Sequence, residues 1–214
     1  EGTDDTLDSD SDSNGILPTE TLVSGEDNPT YDAGLYKSAS IGNFVWIDTD
    51  TDGTQDTNEP VVPNVTVTLY EDVNNNGIPD AGEERGTSVT DANGQFLFNE
   101  TNVTQVVGAT TVYTGVKPFT NYLAVMNTPA DFAATGPLAN FVPTTANAVT
   151  IADRADIRDS DGIASALLGN LQFAQISFQS DAIGNNNHTF DFGFVRAVVP
   201  TATPTTTPTA TATL

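Results

Sequence analysis

Two stretches of the chain place oxygen-bearing side chains at one shared spacing. In the first, Asp48, Asp50, Asp52, Gly53, Asp56 and Glu59 stand at positions 1, 3, 5, 6, 9 and 12 of a twelve-residue run, with Thr54 at position 7. In the second, "DVNNNGIPDAGE", the same six positions hold Asp72, Asn74, Asn76, Gly77, Asp80 and Glu83, with Ile78 at position 7. A hard divalent cation takes six to eight oxygens at about 2.3–2.6 Å, and this spacing supplies them. Alternate residues on a curled loop offer side-chain oxygens from one side, and a glycine permits the sharp turn. The residue after it presents its main-chain carbonyl, and a final glutamate closes the shell with both oxygens. The cofactor this chemistry implies is Ca2+.

The bland alternative is a pair of solvated acidic turns. It leaves the concentration of charge unexplained, because segments 1–12, 48–59, 71–84 and 153–161 hold 20 of the 29 acidic residues. Five carboxylates in one twelve-residue loop repel each other and open it unless a counterion is present. Two further clusters lack the full spacing but carry the same donors. They are Asp156, Asp159 and Asp161, just before Gly162, and Asp5, Asp8 and Asp10 near the start. Both are read as additional metal ligands.

The elements that must hold these loops are strands. "IGNFVWI", "VTVTLY", "QFLF", "YLAVM", "LQFAQISF" and "HTFDFGFV" alternate apolar with polar residues or run apolar throughout, and Asn, Asp, Gly and Pro clusters separate them. "DANG", Asp91 to Gly94, reads as a hairpin turn between "TSVT" and "QFLF". Helix is arguable only for "GIASALLGN". The expected fold class is therefore all-β, a sandwich with calcium-binding loops. The first loop precedes the strand at 65–70 and the second follows it, so the two ions are expected roughly 20 Å apart, near opposite ends of the domain. With no helix pair to swing open on binding, such ions act mechanically.

Composition removes several classes of function. A net charge of -23, from 29 acidic and 6 basic residues, is unsuited to nucleic acid or an anionic membrane surface. No stretch is long and apolar enough for a spanning helix. The chain has no cysteine and one histidine, His188, in a turn before the last strand, so the usual nucleophile–base constellations are missing and no enzyme is expected.

The chain also repeats itself. "NPTYDAGLYK", Asn28 to Lys37, matches "NHTFDFGFVR", Asn187 to Arg196, and "DDTLDSD" upstream lines up with "ADIRDSD" at Ala155 to Asp161. Residues 1–37 read as the C-terminal part of a preceding or strand-exchanged repeat, and 38–197 as a complete domain. Residues 198–214, all Val, Pro, Thr, Ala and Leu, read as a linker or stalk suited to lie extended on a neighbour. Neighbouring copies of the same repeat or chain are thus the expected partners.

Taken together, "YDAGLYKSASIGNFVWIDTDTDGTQDTNEPVVPNVTVTLYEDVNNNG", "TDANGQFLF", "RDSDG" and "HTFDFGFV" resemble the calcium-binding B domain of serine–aspartate repeat surface proteins, the SdrD B-like family. The resemblance covers nearly all of 38–196. It implies an Ig-like/prealbumin-like (CnaB-type) β-sandwich, tandem copies, calcium-dependent rigidity and display outside the cell, on a cell surface, in a cell wall or in a secreted filament. Gln55 stands where the family often places Ile, and 101–150 is longer and less recognisable. The expectation is a structural calcium-binding module. The alternative is an adhesin domain recognising a glycan or matrix protein through aromatics in that long segment, around Tyr113, Phe119 and Tyr122.

Overall fold

The computed structural model describes residues 10–11, 17–34, 37–107, 110–148, 158–165 and 168–197. The strands are β1 (Ile41–Ile47), β2 (Thr66–Glu71), β3 (Glu84–Val89), β4 (Gln95–Phe98), β5 (Thr104–Val107), β6 (Thr110–Thr114), β7 (Asn121–Met126), β8 (Phe141–Pro143), β9 (Ile163–Ala164), β10 (Ala174–Gln179) and β11 (Phe192–Arg196). One four-residue helix, α1 (Pro129–Phe132), follows β7.

Two sheets form the sandwich, one in the order β4-β1-β11-β8 and one in the order β3-β2-β7-β10-β9, while β5 and β6 pair with each other. β1 and β11 run parallel, with Val45 opposite Phe192 and Ile47 opposite Phe194. Alternation explains β4, whose Phe96 and Phe98 enter the core while Gln95 and Leu97 stay outside. β7 is buried on both faces. Tyr122, Ala124 and Met126 join the core, and Leu123 and Val125, also buried, lie on the outer face. The core draws on both sheets, with Val45, Phe98, Phe192 and Phe194 from one and Val67, Leu69, Tyr122 and Ile176 from the other. Gly193 is required where β11 crosses Trp46, because a Cβ there would stand 2.7 Å from the indole ring.

One local expectation is corrected. "DANG" is a tight turn, with Gly94 N–H donating to Asp91 O, but it is not a hairpin. β3 pairs with β2 and β4 with β1, so the turn carries the chain from one sheet to the other. The Gly94 carbonyl accepts from Val45 N–H, which commits the next residues to β1. "GIASALLGN" opens as strand β9 against β10 rather than as a helix. The helix that does form starts at Pro129, a residue whose fixed φ suits a first turn. Among the described residues, no helix is long and apolar enough to cross a membrane.

Candidate metal centre

Residues 48–59 (loop 1) leave the end of β1, and residues 72–83 (loop 2) leave the end of β2. Their internal hydrogen bonds from backbone N–H to side chains use acceptors at the same positions, and the donors differ at one place only, Thr51 at position 4 in loop 1 against Asn76 at position 5 in loop 2. At position 1, Asp48 accepts from the backbone N–H of Thr51 and Gly53, and Asp72 from those of Asn76 and Gly77. At position 5, Asp52 accepts from Thr54 N–H and Asn76 from Ile78 N–H. At position 12, Glu59 accepts from the N–H groups of Thr49 and Asp56, and Glu83 from those of Val73 and Asp80. Positions 4 and 6 have positive φ in both loops: Thr51 and Gly53 at 69° and 82°, Asn75 and Gly77 at 56° and 70°. Two sequences sharing only six ligand-type positions thus curl into one conformation.

The electrostatics of loop 1 favour a cation. Oxygens of Asp48, Asp50 and Asp52 lie within 4.8 Å of one another. Desolvation first, then the nearby carboxylates of Asp52, Glu59 and Asp48, raise the Asp50 pKa. In loop 2 the amides of Asn74 and Asn76 donate to Asp80 and hold its pKa down. The donor set, all hard oxygens with a bidentate-capable glutamate at the end, suits Ca2+. Asp48, Asp50, Asp52, Asp56, Glu59 and the Thr54 carbonyl would hold one ion. Asp72, Asn74, Asn76, Asp80, Glu83 and the Ile78 carbonyl would hold a second.

The surroundings of the two loops differ. Loop 1 is clamped between chain segments distant in sequence. Thr144 Oγ1 donates to the buried Asp48 carboxylate, Gln55 N–H donates to Arg158 O, and Ser160 N–H donates to Gly53 O. These last two bonds flank the pairing of Thr54 with Asp159, so the Thr54 N–H and C=O point away from that segment, toward Asp52 and the loop interior. Loop 2 departs from the end of the sandwich but does not project beyond it. Gln175 on β10 donates from Nε2 to Gly77 O, and Gln175 sits beside Val125 in the sheet. Loop 2 therefore folds back over the outer face of β7 and β10 where Val125 and Gln175 are buried. Loop 2 thus turns back along the sandwich instead of extending from its end. At its base, Asp72 N–H donates to Asn121 O and the Asn121 amide meets Asn75. Beside it Glu71 bridges Arg85 and Lys117 at 2.8 and 2.9 Å. Burial raises the Glu71 pKa, but the hydrogen bonds and charges of those two cations outweigh it and leave the pKa lowered.

A model of the SdrD B-like domain matches residues 39–194, more than half of the chain. The chain belongs to the SdrD B-like domain family. Relatives include the serine-aspartate repeat-containing protein C of Staphylococcus aureus strain MRSA252, 39% identical over 100 residues that cover 46% of this chain and 10% of that protein. The protein of the same name from strain Newman matches equally, with 9% of its length covered. This chain therefore spans about a tenth of those relatives. A crystal structure of (S)-allantoin synthase aligns over 79% of the chain and 47% of the enzyme at a TM-score of 0.30 and 13% identity, a likeness too slight to carry any argument.

In this SdrD B-like domain the third acidic cluster lies against β11 and loop 1. Asp161 Oδ2 accepts from Asp191 N–H, and Asp161 N–H returns a bond to Asp191 O. Asp159 is fully buried beside loop 1, while Asp156 lies outside the described residues. Asp191, which the sequence offers as a turn residue or a distant ligand, meets this cluster. It is buried and accepts from Phe44 N–H and the Asn43 amide, with its pKa pushed up to about 9 by burial and by the charges of Asp161 and Asp159. Near the N-terminus, Asp10 and Asp32 repeat that exchange: Asp10 N–H donates to Asp32 O and Asp32 N–H to Asp10 Oδ2, each at 2.8 Å. Asp5 and Asp8 lie outside the described residues, as does the tail 198–214. Sequence reasoning missed Thr144, Asn121 and Gln175, which secure the loops from afar; no local signal marks them.

Proposed function

We propose that this SdrD B-like domain is a calcium-loaded structural module of an extracellular or cell-surface fibrous protein, in which bound ions lock the loops and stiffen the sandwich. The observation that supports it most is the shared scaffold of the two loops, down to the positive φ values at positions 4 and 6. Loop 1 ties β1 to segments 144–148 and 158–160, and loop 2 covers the outer face of β7 and β10. An ion in each loop would fasten parts of the chain that are far apart in sequence. Native mass spectrometry counts the ions directly. At least two Ca2+ per chain are expected, with Glu59→Gln and Glu83→Gln each removing one. A protein that binds none in millimolar calcium refutes the proposal.

The adhesin alternative needs an exposed aromatic cluster, and the structure divides the expected one. Tyr122 is buried in the core with its hydroxyl accepting from Lys117 N–H, whereas Phe119 is exposed. The side chain of Tyr113 lies outside the described residues.

A further inference from the structure

Loops 1 and 2 share a turn but differ in one kind of reactivity. Position 5 is Asp52 in loop 1 and Asn76 in loop 2, and a glycine follows each. An asparagine before glycine is open to attack on its own side chain, because no Cβ shields the glycine nitrogen. The Gly77 nitrogen bonds to Asn76 Cγ and gives up its proton, ammonia leaves with the amide nitrogen, and a succinimide ring results. Water then opens that ring at either carbonyl, yielding aspartate or isoaspartate. Water is the only co-reactant.

Two Asn-Gly pairs lie among the described residues, Asn76–Gly77 in loop 2 and Asn93–Gly94 in the turn after β3, and both asparagines are exposed. Asn14–Gly15 lies outside the described residues. The surroundings of the two pairs differ. At Gly94 an added Cβ would stand 2.7 Å from Val45 O and from Val61 Cβ, and the Gly94 carbonyl accepts from Val45 N–H, so β1 holds that peptide still. At Gly77 an added Cβ would meet nothing within 4 Å, so that peptide has room to turn.

The groups that the attack calls for already surround Asn76. Gly77 N–H donates to Asp72 Oδ2 at 3.0 Å, which puts a carboxylate on the proton that the nitrogen must give up. Ile78 N–H donates to Asn76 Oδ1 at 2.7 Å, on the oxygen that turns negative as Cγ is attacked. Asn93 lacks both. Gly94 N–H donates to a main-chain carbonyl, Asp91 O, and among the described residues nothing donates to Asn93 Oδ1.

We propose that Asn76 is a calcium-guarded deamidation site, at which loop 2 converts its own position 5 from amide to acid when the ion is lost. The inference rests on the calcium reading of the loops. With an ion bound, Asp72 and Asn76 would both be its ligands and no longer free for the attack. The two products have opposite consequences. Aspartate fits, because loop 1 holds Asp52 in the same turn, accepting from Thr54 N–H as Asn76 does from Ile78 N–H. It also adds a fourth carboxylate to Asp72, Asp80 and Glu83. Isoaspartate routes the main chain through the side chain, which lengthens it by one carbon and carries the Ile78 carbonyl out of place. Loop 2 then loses its site for good.

The test keeps the full 214-residue chain in mildly alkaline buffer, with millimolar calcium or with chelator, and follows both pairs by peptide mapping. Mass spectrometry reads the gain of an amide becoming an acid. In chelator Asn76 should convert several-fold faster than Asn93, and calcium should slow Asn76 several-fold while leaving Asn93 unchanged. Isoaspartyl methyltransferase marks the isoaspartate form, on which native mass spectrometry should count one calcium fewer. The Asn76→Asp variant should keep the full complement. In protein that binds the ions, an Asn76 rate indifferent to calcium, or no faster than that of Asn93 in chelator, overturns this inference alone. An equal calcium effect on Asn93 also overturns it, because general stability would then be the guard. A parent protein that binds no calcium overturns the reading beneath it.

Discussion

Gln175→Leu distinguishes a loop support from an ordinary core residue. Gln175 is 4% exposed, its Nε2 donates to Gly77 O and Ser177 Oγ, and its Oε1 is buried without a hydrogen-bond partner. Leucine removes two hydrogen bonds, each worth about 0.5–1.5 kcal/mol net, and also removes a buried unpaired acceptor that costs about 1–3 kcal/mol. These contributions nearly cancel, so in chelator the variant should unfold within about 1 kcal/mol of the parent. In calcium the balance changes. Freeing Gly77 O loosens the peptide that leads into the Ile78 carbonyl, and losing about 1 kcal/mol of organisation there weakens loop 2 by roughly five-fold. Calorimetric titration should show one site weakened and one unchanged. Fluorescence of Trp46, the only tryptophan and two residues before Asp48, should report loop 1 as unaffected. An equal loss of stability with and without calcium, at unchanged affinity, would refute the reasoning and make Gln175 a plain packing residue.

Four further outcomes follow from the geometry. Loop 1 carries five carboxylates and loop 2 three, so Asp50→Asn with Asp52→Asn should bring the calcium affinity of loop 1 down toward that of loop 2, as read by Trp46 fluorescence. Gly53→Ala should cost more than Gly77→Ala in denaturant melts. Both have left-handed φ, worth about 1–2 kcal/mol against alanine, but a Cβ at Gly53 would also stand 2.8 Å from Thr145 O, while at Gly77 it meets nothing. Chelation should expose the outer face of β7 under loop 2, seen as binding of an apolar dye that calcium reverses. Asp191 has a folded pKa of about 9, above its unfolded value of about 3.9. The folded state therefore holds this proton more tightly, and the stability it contributes is full below the unfolded pKa and is lost as pH rises toward 9. In chelator, stability should fall between pH 5 and 8 by up to about 1.4 kcal/mol per pH unit, and Asp191→Asn should flatten that slope.

The sandwich and both loops were legible because each depends on local pattern. Strands of period two declare themselves, and a calcium loop is twelve consecutive residues whose spacing is its geometry. "DANG" shows the limit: its turn chemistry was read correctly, but whether two strands pair across a turn is decided by third parties, here β1 and β2. The same holds for Thr144, Asn121 and Gln175, which reach the loops through pairings that join residues up to 98 positions apart. Asp191 reads locally as a turn residue. Only the parallel pairing of β11 with β1 buries it and aims Phe44 N–H at it. That loop 2 folds back over β10 was not legible, because strand length gives where a loop starts, not which way it folds.

The most direct test is thermal unfolding of the full chain in millimolar calcium, after complete chelation, and after return of calcium or magnesium. Two ions, each at a hundred times its dissociation constant, add about 5 kcal/mol, which for a chain of this size moves the midpoint by roughly 10–20 °C. A drop of that order on chelation, restored by calcium and not by magnesium, is the predicted result. An unchanged midpoint would mean that the two loops hold their shape as solvated turns, and would contradict the account.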